Sequence, residues 1–268
     1  MNPENKDYLT INQELWDKKT KAHVQSDFYN LQDILDGESS LIGPDASLLN
    51  DLEGKDLIHL QCHFGLDSLS LARKGAKVLG LDFSSEAIKQ ARALYKDIDV
   101  ELNFVVSDVY SATENTDKKF DVVYTSYGTI GWLPDVNKWA KTIANLLKDG
   151  GKLIFAEFHP VVWMFDDAFS KIEYSYFNKE DITIVSEGTY ADKNASINSP
   201  EISWNHPLDE VFQALMDNGL HISSFKEYDY SPYACFDPIV KVAENRFQIK
   251  GMEGKIPMMY TIVAQKLS

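Results

Sequence analysis

Residues 56–95 read DLIHLQCHFGLDSLSLARKGAKVLGLDFSSEAIKQARALY. Asp56–Gln61 is a short apolar run bounded by polar residues, the pattern of a buried strand. Gly65 then opens a helical stretch carrying Leu66, Leu69 and Ala72, and Gly75 closes it. Lys77–Asp82 is a second strand. Ser84 suits an N-cap and Glu86 the first turn of the next helix, whose buried stripe is Ala87, Ile88, Ala91 and Leu94. Strand, helix, strand, helix within forty residues implies right-handed crossovers and a parallel sheet.

The alternation continues outward. Leu102–Ser107 and Phe120–Ser126 read as strands three and four. Val136, Trp139, Ala140, Ile143, Leu146 and Leu147 keep a helical period until Gly150-Gly151, and Lys152–Phe158 is a fifth strand. The pattern then changes. Residues 160–205 look like hairpins and loops, with ITIV at 182–185 and turn residues over 191–200. Pro207 suits the first turn of a helix with Leu208, Val211, Phe212 and Leu215 on one face and Asn218-Gly219 as its stop. Leu220–Tyr228 and Met258–Lys266 are the last strands, separated by an excursion over 229–256. Upstream, residues 11–35 read as one helix with Ile11, Leu15, Val24, Phe28, Leu31 and Leu35 as its apolar positions. The expected organisation is an N-terminal helical cap over 1–50 and an α/β domain over 51–268 with a β-rich insertion at 160–206.

The formal charge is −15 and negative in every full fifty-residue block. Neutralising a phosphate backbone requires a basic face, and no Lys/Arg cluster supplies one, so a small-molecule partner is expected rather than a nucleic acid. No apolar run is long enough for a membrane span, and MNPENKDYLT lacks the core of a signal peptide. Cys62 and Cys235 are too few for a disulfide framework, so a cytoplasmic location is expected. Neither they nor the six histidines have metal-ligand spacing, and no metal is expected. Oligomeric state is not legible.

In an open α/β sheet, ligands bind beyond the carboxyl ends of the strands. The tips here are Gln61-Cys62-His63-Phe64-Gly65, Asp82, Asp108, Thr125-Ser126-Tyr127-Gly128 and His159-Pro160. The first runs into a helix N-terminus that favours a carboxylate. Asp82 is placed to accept the hydroxyl hydrogens of a ribose, and Asp108 to accept from an adenine amino group. Singly, each acid is equally readable as a turn residue. Cys62 lacks an acid–base partner and reads as a small apolar filler.

The order of elements resembles the class I S-adenosylmethionine-dependent methyltransferases, whose five parallel strands are followed by a helix, a sixth strand and an antiparallel seventh. The resemblance implies a doubly wound, Rossmann-like seven-stranded sheet. That family's first loop usually reads acid-x-Gly-x-Gly-x-Gly; here His59 takes the acid's place, and Gln61, His63 and Gly65 the glycines'. LIHLQCHFGLDSLSLARKGAKVLGLDFS is similar to a bacterial subgroup with this His-Leu-Gln-Cys-His form, as are NQELWDKKTKAHVQSDFYNL, EGTYAD and WNHPLDEV, so the likeness covers nearly the whole chain. It implies S-adenosyl-L-methionine as cofactor, held by Gln61, His63, Gly65, Asp82, Phe83, Asp108, Val109 and Ser126, with Val109 offering its backbone N–H to adenine. Replacing two glycines removes residues that adopt positive φ freely, and Gln61 and His63 are expected to hydrogen-bond the methionine carboxylate instead. Methyl transfer needs a general base only where the acceptor arrives protonated; His159, His23, His63 and His206 are the candidates, with Tyr127 as a further polar group, and each histidine is also readable as a structural residue. Residues 8–30 and 160–206 are expected to meet over the cofactor with Trp16, His23, Tyr29, His159 and Trp204 facing inward. A nicotinamide-dependent oxidoreductase would share the βαβ start but needs GxGxxG, absent here. A non-catalytic binding protein with an eroded loop is the other alternative.

Overall fold

Parallel strands β1 (Asp56–Leu60), β2 (Lys77–Asp82), β3 (Leu102–Val106), β4 (Phe120–Ser126) and β5 (Leu147–Phe158) alternate with helices. The structure, a computed structural model, describes residues 7–267. Helices α1 (Tyr8–His23) and α2 (Leu31–Leu35) precede the sheet; α3 (Leu66–Arg73), α4 (Ser85–Tyr95), the short α5 (Ala112–Asn115) and α6 (Val136–Leu146) connect its strands. An antiparallel hairpin of β6 (Ile182–Glu187) and β7 (Asn198–Ser203) follows, then α7 (Leu208–Asp217) and β8 (Leu220–Tyr228). A second hairpin, β9 (Ile239–Ala243) with β10 (Arg246–Ile249), fills the excursion before β11 (Met259–Lys266). The main sheet runs β3-β2-β1-β4-β5-β11-β8, with β11 antiparallel to both neighbours. This is the expected doubly wound sheet with one reversed strand.

Alternation along the buried strands feeds both faces. Ile58 and Leu60 join Val123, Phe155 and the α6 stripe of Trp139, Ile143 and Leu146. Leu57, Val122, Tyr124 and Ile154 point to the opposite face and meet Leu71, Leu49 and Leu52. Burying a side chain of this size contributes about 1.5–3 kcal/mol. Leu49 therefore makes the end of the expected cap part of the sheet's own core.

Three elements differ from their sequence reading. The helix over 11–35 is split: α1 ends at His23, a single tight turn spans Asp27–Tyr29, and Asn30 sits at φ +46° before α2. Ser26 donates its hydroxyl to the His23 carbonyl (2.8 Å), an alternative to the helical ladder that such side chains favour. Strand β5 begins at Leu147 rather than Lys152, since Leu147 pairs with Phe120 before an irregularity in the ladder. Strand β7 takes Asn198–Pro200 from the turn-rich stretch, because Ser199 and Ile202 are buried on alternate sides of an extended chain.

Candidate active site

At the carboxyl end of β1, Gln61 (φ +53°), His63 (φ +52°) and Gly65 (φ +80°) all adopt left-handed backbone. These are the three positions at which the resembled loop carries glycine. The loop thus keeps the glycine conformation with side chains in place, at about 1–2 kcal/mol for each non-glycine residue. Loss of the glycines has not straightened the backbone. Gly65 remains irreplaceable for another reason: a Cβ there would lie 2.6 Å from the Phe104 ring. Anchors hold the strained residues. Gln61 Nε2 donates to the Thr129 carbonyl (2.8 Å), and the His63 N–H donates to Asp82 Oδ2 (2.8 Å). His59, in the acid's place, is buried against Ser68 Oγ (2.9 Å), and burial lowers its pKa to about 3. Cys62 packs with Phe64, Leu69, Ile88 and Phe104.

Asp82 ends β2 almost fully buried, its other oxygen accepting the Ser84 N–H (2.8 Å). Burial raises its pKa to about 6, opposed by those two N–H groups. A carboxylate has about four lone-pair sites, so two backbone bonds leave acceptor capacity for a ligand. Phe83 follows, its carbonyl held by Gln13 Nε2 of α1 (2.6 Å). Asp108 caps the turn after β3 through Ser111 N (3.2 Å), and the Val109 side chain is buried in the core.

Residues 8–30 and the insertion meet above this edge. Asn12 pairs with both backbone groups of Ile202 on β7, at 2.7 and 3.0 Å. Lys19 Nζ reaches Glu201 (3.0 Å) and lies near the faces of Trp16 and Trp132. Tyr29 and Tyr190 share a hydrogen bond of 2.5 Å. His23 sits between the two segments and the first loop. Its Nδ1 lies 2.9 Å from His63 Nε2, and its Nε2 lies 2.9 Å from Thr189 Oγ1. Burial, with the Lys19 charge adding to it, lowers the His23 pKa to about 3. His63 is lowered well below the ordinary value by burial, then by His23 and Lys19. Both rings are neutral at physiological pH. Trp16 packs edge-on against His63 at 5.3 Å, whereas Trp204 packs on Tyr8. His159 does not join this group. Its Nε2 lies 3.0 Å from Glu227 of β8 and its ring meets Tyr260, because the end of β5 turns it toward β11 and β8. Burial lowers its pKa, and Glu227 opposes that.

Three polar atoms here are closed to solvent and have no protein partner: Trp16 Nε1, His63 Nδ1 and Gln61 Oε1. A buried polar group without a partner costs about 1–3 kcal/mol. Their concentration in the first loop and the helix packed on it marks the place where a polar ligand would satisfy them.

The β4 tip bounds the same edge. Tyr127 (φ +53°) donates its hydroxyl to Asp45, which also accepts from Tyr124 (2.5 Å). Ser126 Oγ lies 3.4 Å from Asp67 Oδ2, and burial raises the Asp67 pKa to about 7. Beneath the following loop, Glu157 of β5 accepts the backbone N–H groups of Gly128, Thr129, Ile130 and Phe158. Burial raises its pKa against those four donors. Glu157 therefore fixes the loop whose Thr129 carbonyl holds Gln61.

Sequence reasoning passed over Glu157, Asp45, Asp67, Thr189 and Asp17. Asp17 accepts from Ser84 Oγ (2.6 Å) and the Glu86 N–H (3.1 Å), so α1 caps α4 from outside. Asp17, Asp67 and Thr189 carried a signal, since each lies within the stretches of subgroup likeness quoted above; Glu157 and Asp45 carried none.

Residues 58–151 match the family model described as a methyltransferase domain. The ubiquinone biosynthesis O-methyltransferase of Alkalilimnicola ehrlichii is 32% identical over 111 residues, 41% of this chain and 44% of that one. The chain thus spans less than half the length of the curated relatives it matches. A Listeria monocytogenes protein assigned as an S-adenosylmethionine-dependent methyltransferase superposes with a TM-score of 0.61 at 23% identity, covering 83% of this chain and 94% of that one. The geranyl diphosphate C-methyltransferase of Streptomyces coelicolor A3(2), crystallised with S-adenosyl-L-homocysteine, gives 0.51 at 14% identity over 89% and 78%. At such identities the likeness is one of fold. Among the described residues, no helix is long and apolar enough to cross a membrane.

Proposed function

We propose that this chain is a class I S-adenosylmethionine-dependent methyltransferase acting on a small-molecule acceptor, of the subgroup whose first loop reads His-Leu-Gln-Cys-His. The observation that carries the reading is the first loop: left-handed at Gln61, His63 and Gly65, with solvent-closed, unpartnered atoms on Gln61, His63 and Trp16. Trp16 Nε1 is a donor and Gln61 Oε1 an acceptor, and an α-amino-acid group presents the complement of such a set, a carboxylate and an ammonium. The residues present therefore fit the methionine end of the cofactor. Asp82, with acceptor capacity remaining, would take the ribose hydroxyls, and Asp108 and the Val109 N–H the adenine. Phe83 and Ser126 would border the same cofactor, Ser126 at the β4 tip.

S-adenosylmethionine, when bound, supplies a methyl group already activated on a sulfonium centre. The protein's task is then to orient the acceptor and exclude water, effects worth up to ~7–11 kcal/mol in a well-aligned site. The aromatic cap of Trp16, Tyr29 and Trp132 suits the second part. For proton handling, Tyr127 is supported by a carboxylate partner, Asp45, on its hydroxyl. His23 has both ring nitrogens bonded, and His159 is engaged with Glu227, so both are assigned supporting roles. The net charge of −15 favours a small acceptor over nucleic acid, and a cytoplasmic location fits the paucity of cysteine. Calorimetric titration with S-adenosylmethionine, S-adenosylhomocysteine and NADH tests the proposal. Binding of the first two alone is expected; binding of NADH, or of none, would overturn it.

A further inference from the structure

The order of protons along Thr189, His23 and His63 is fixed by the hydrogen bonds that surround them. Thr189 Oγ1 accepts the N–H groups of Ala191 (2.9 Å) and Asp192 (3.2 Å), which occupies both of its lone pairs. Its own hydrogen is therefore free to go only outward, to His23 Nε2 at 2.9 Å. A neutral imidazole that accepts at Nε2 carries its proton at Nδ1. His23 Nδ1–H then donates to His63 Nε2 at 2.9 Å. His63 is left with its proton on Nδ1, the solvent-closed atom for which the protein offers no acceptor. Tyr29 Oη, 3.3 Å from His23 Nδ1, does not upset this order, since it can donate to Tyr190 and leave its lone pairs toward the imidazole.

We infer that Thr189 and His23 are positioning residues which set the tautomer of His63, so that its Nδ1–H faces a cofactor carboxylate as a donor. The inference rests on the cofactor reading given above and adds how the site is prepared. Two hydrogen bonds link the insertion, through the cap, to the first loop. Without the hydroxyl at 189, both His23 tautomers become available. The one protonated at Nε2 would turn Nδ1 into an acceptor, reverse the His63 proton and aim a lone pair at the ligand's negative charge. A left-handed glycine at position 63, as in the resembled loop, would offer no side-chain donor; this chain has a ring there and needs the relay to orient it.

Ring-nitrogen NMR of the full chain, with histidine labelled at both imidazole nitrogens, reads the tautomers directly. Calorimetry with S-adenosylhomocysteine reads their consequence. The wild type is expected to carry the His63 proton on Nδ1 before any ligand is added. Thr189→Val should mix or reverse the tautomer and weaken S-adenosylhomocysteine roughly ten-fold or more, the scale of one hydrogen bond to a charged group. Thr189→Ser should restore both, which mere loss of packing would not explain. His23→Phe, which keeps the ring volume, should release the tautomer as well. A wild-type His63 protonated on Nε2, or a Thr189→Val protein with unchanged tautomer and affinity, would overturn the relay. Should the wild type bind no S-adenosylhomocysteine, the cofactor reading fails, while the ring-nitrogen shifts of the free protein still decide the order of protons.

Discussion

Replacing Glu157 by Gln removes one proton acceptor from a carboxylate that serves four backbone N–H groups and the Thr129 hydroxyl. The shape hardly changes, so packing is not the issue. One carboxylate oxygen receives Gly128 and Phe158; the other receives Thr129 and Ile130. Whichever end becomes the amide, two backbone N–H groups then face a donor. At about 1–3 kcal/mol for each buried unpaired group, Glu157→Gln should cost ~2–6 kcal/mol. Urea unfolding followed by circular dichroism measures this, and the melting temperature should fall by roughly 2–4 °C per kcal/mol. The freed loop carries the Thr129 carbonyl that anchors Gln61, so affinity for S-adenosylhomocysteine should drop in the same variant. A loss below about 1 kcal/mol with unchanged affinity would refute the assignment of Glu157 as the loop's organiser.

Gln61→Gly relieves a left-handed residue but also frees the unfolded chain and deletes one hydrogen bond. Relief of about 1–2 kcal/mol stands against two losses of about 1 kcal/mol each, so the net should lie between zero and a loss of ~1 kcal/mol while S-adenosylhomocysteine binding weakens; a much larger loss of stability would mean the backbone there is not strained. His59 has a folded pKa of about 3 against ~6.5 unfolded. Between those values the unfolded chain binds the extra proton, so stability falls with falling pH, by about 2 kcal/mol at pH 5 relative to neutral. The stability gap between wild type and His59→Asn should shift by that amount from pH 7.5 to 5, and a constant gap would contradict the buried neutral ring. Amide exchange over 8–23 should slow on adding S-adenosylhomocysteine, because the ligand would tie Trp16 to the first loop; equal protection in both states would exclude α1 as a closing element.

The sheet was legible in the sequence because its strands are short apolar runs separated by helices with clear stops. Asp82 was legible for the same reason: a strand that ends in an acid before a Ser cap has a fixed place in the fold. Glu157 was not, since nothing in KLIFAEF says that a loop about thirty residues earlier in sequence will turn three N–H groups toward it. The break after His23 was missed because apolar spacing continues through Phe28 and Leu31, while Ser26 and Asn30 decide the local backbone. His159 sits at the expected strand tip, yet the antiparallel entry of β11 beside β5 determines which way it faces. Positive φ at Gln61 and His63 ran against residue preference, and only the surrounding anchors account for it.

Asn12 answers both the N–H and the carbonyl of Ile202 with one side-chain amide. A two-stranded hairpin standing apart from the main sheet has open borders, and an open border is a template on which another copy can grow. The amide acts as a one-residue plug in that border, with Lys18 and Lys19 tethering Ser199 and Glu201 on the same strand. A chain lacking its first helix would lose this protection along with the cap. Its characteristic failure would then be strand-to-strand self-association, growing with protein concentration.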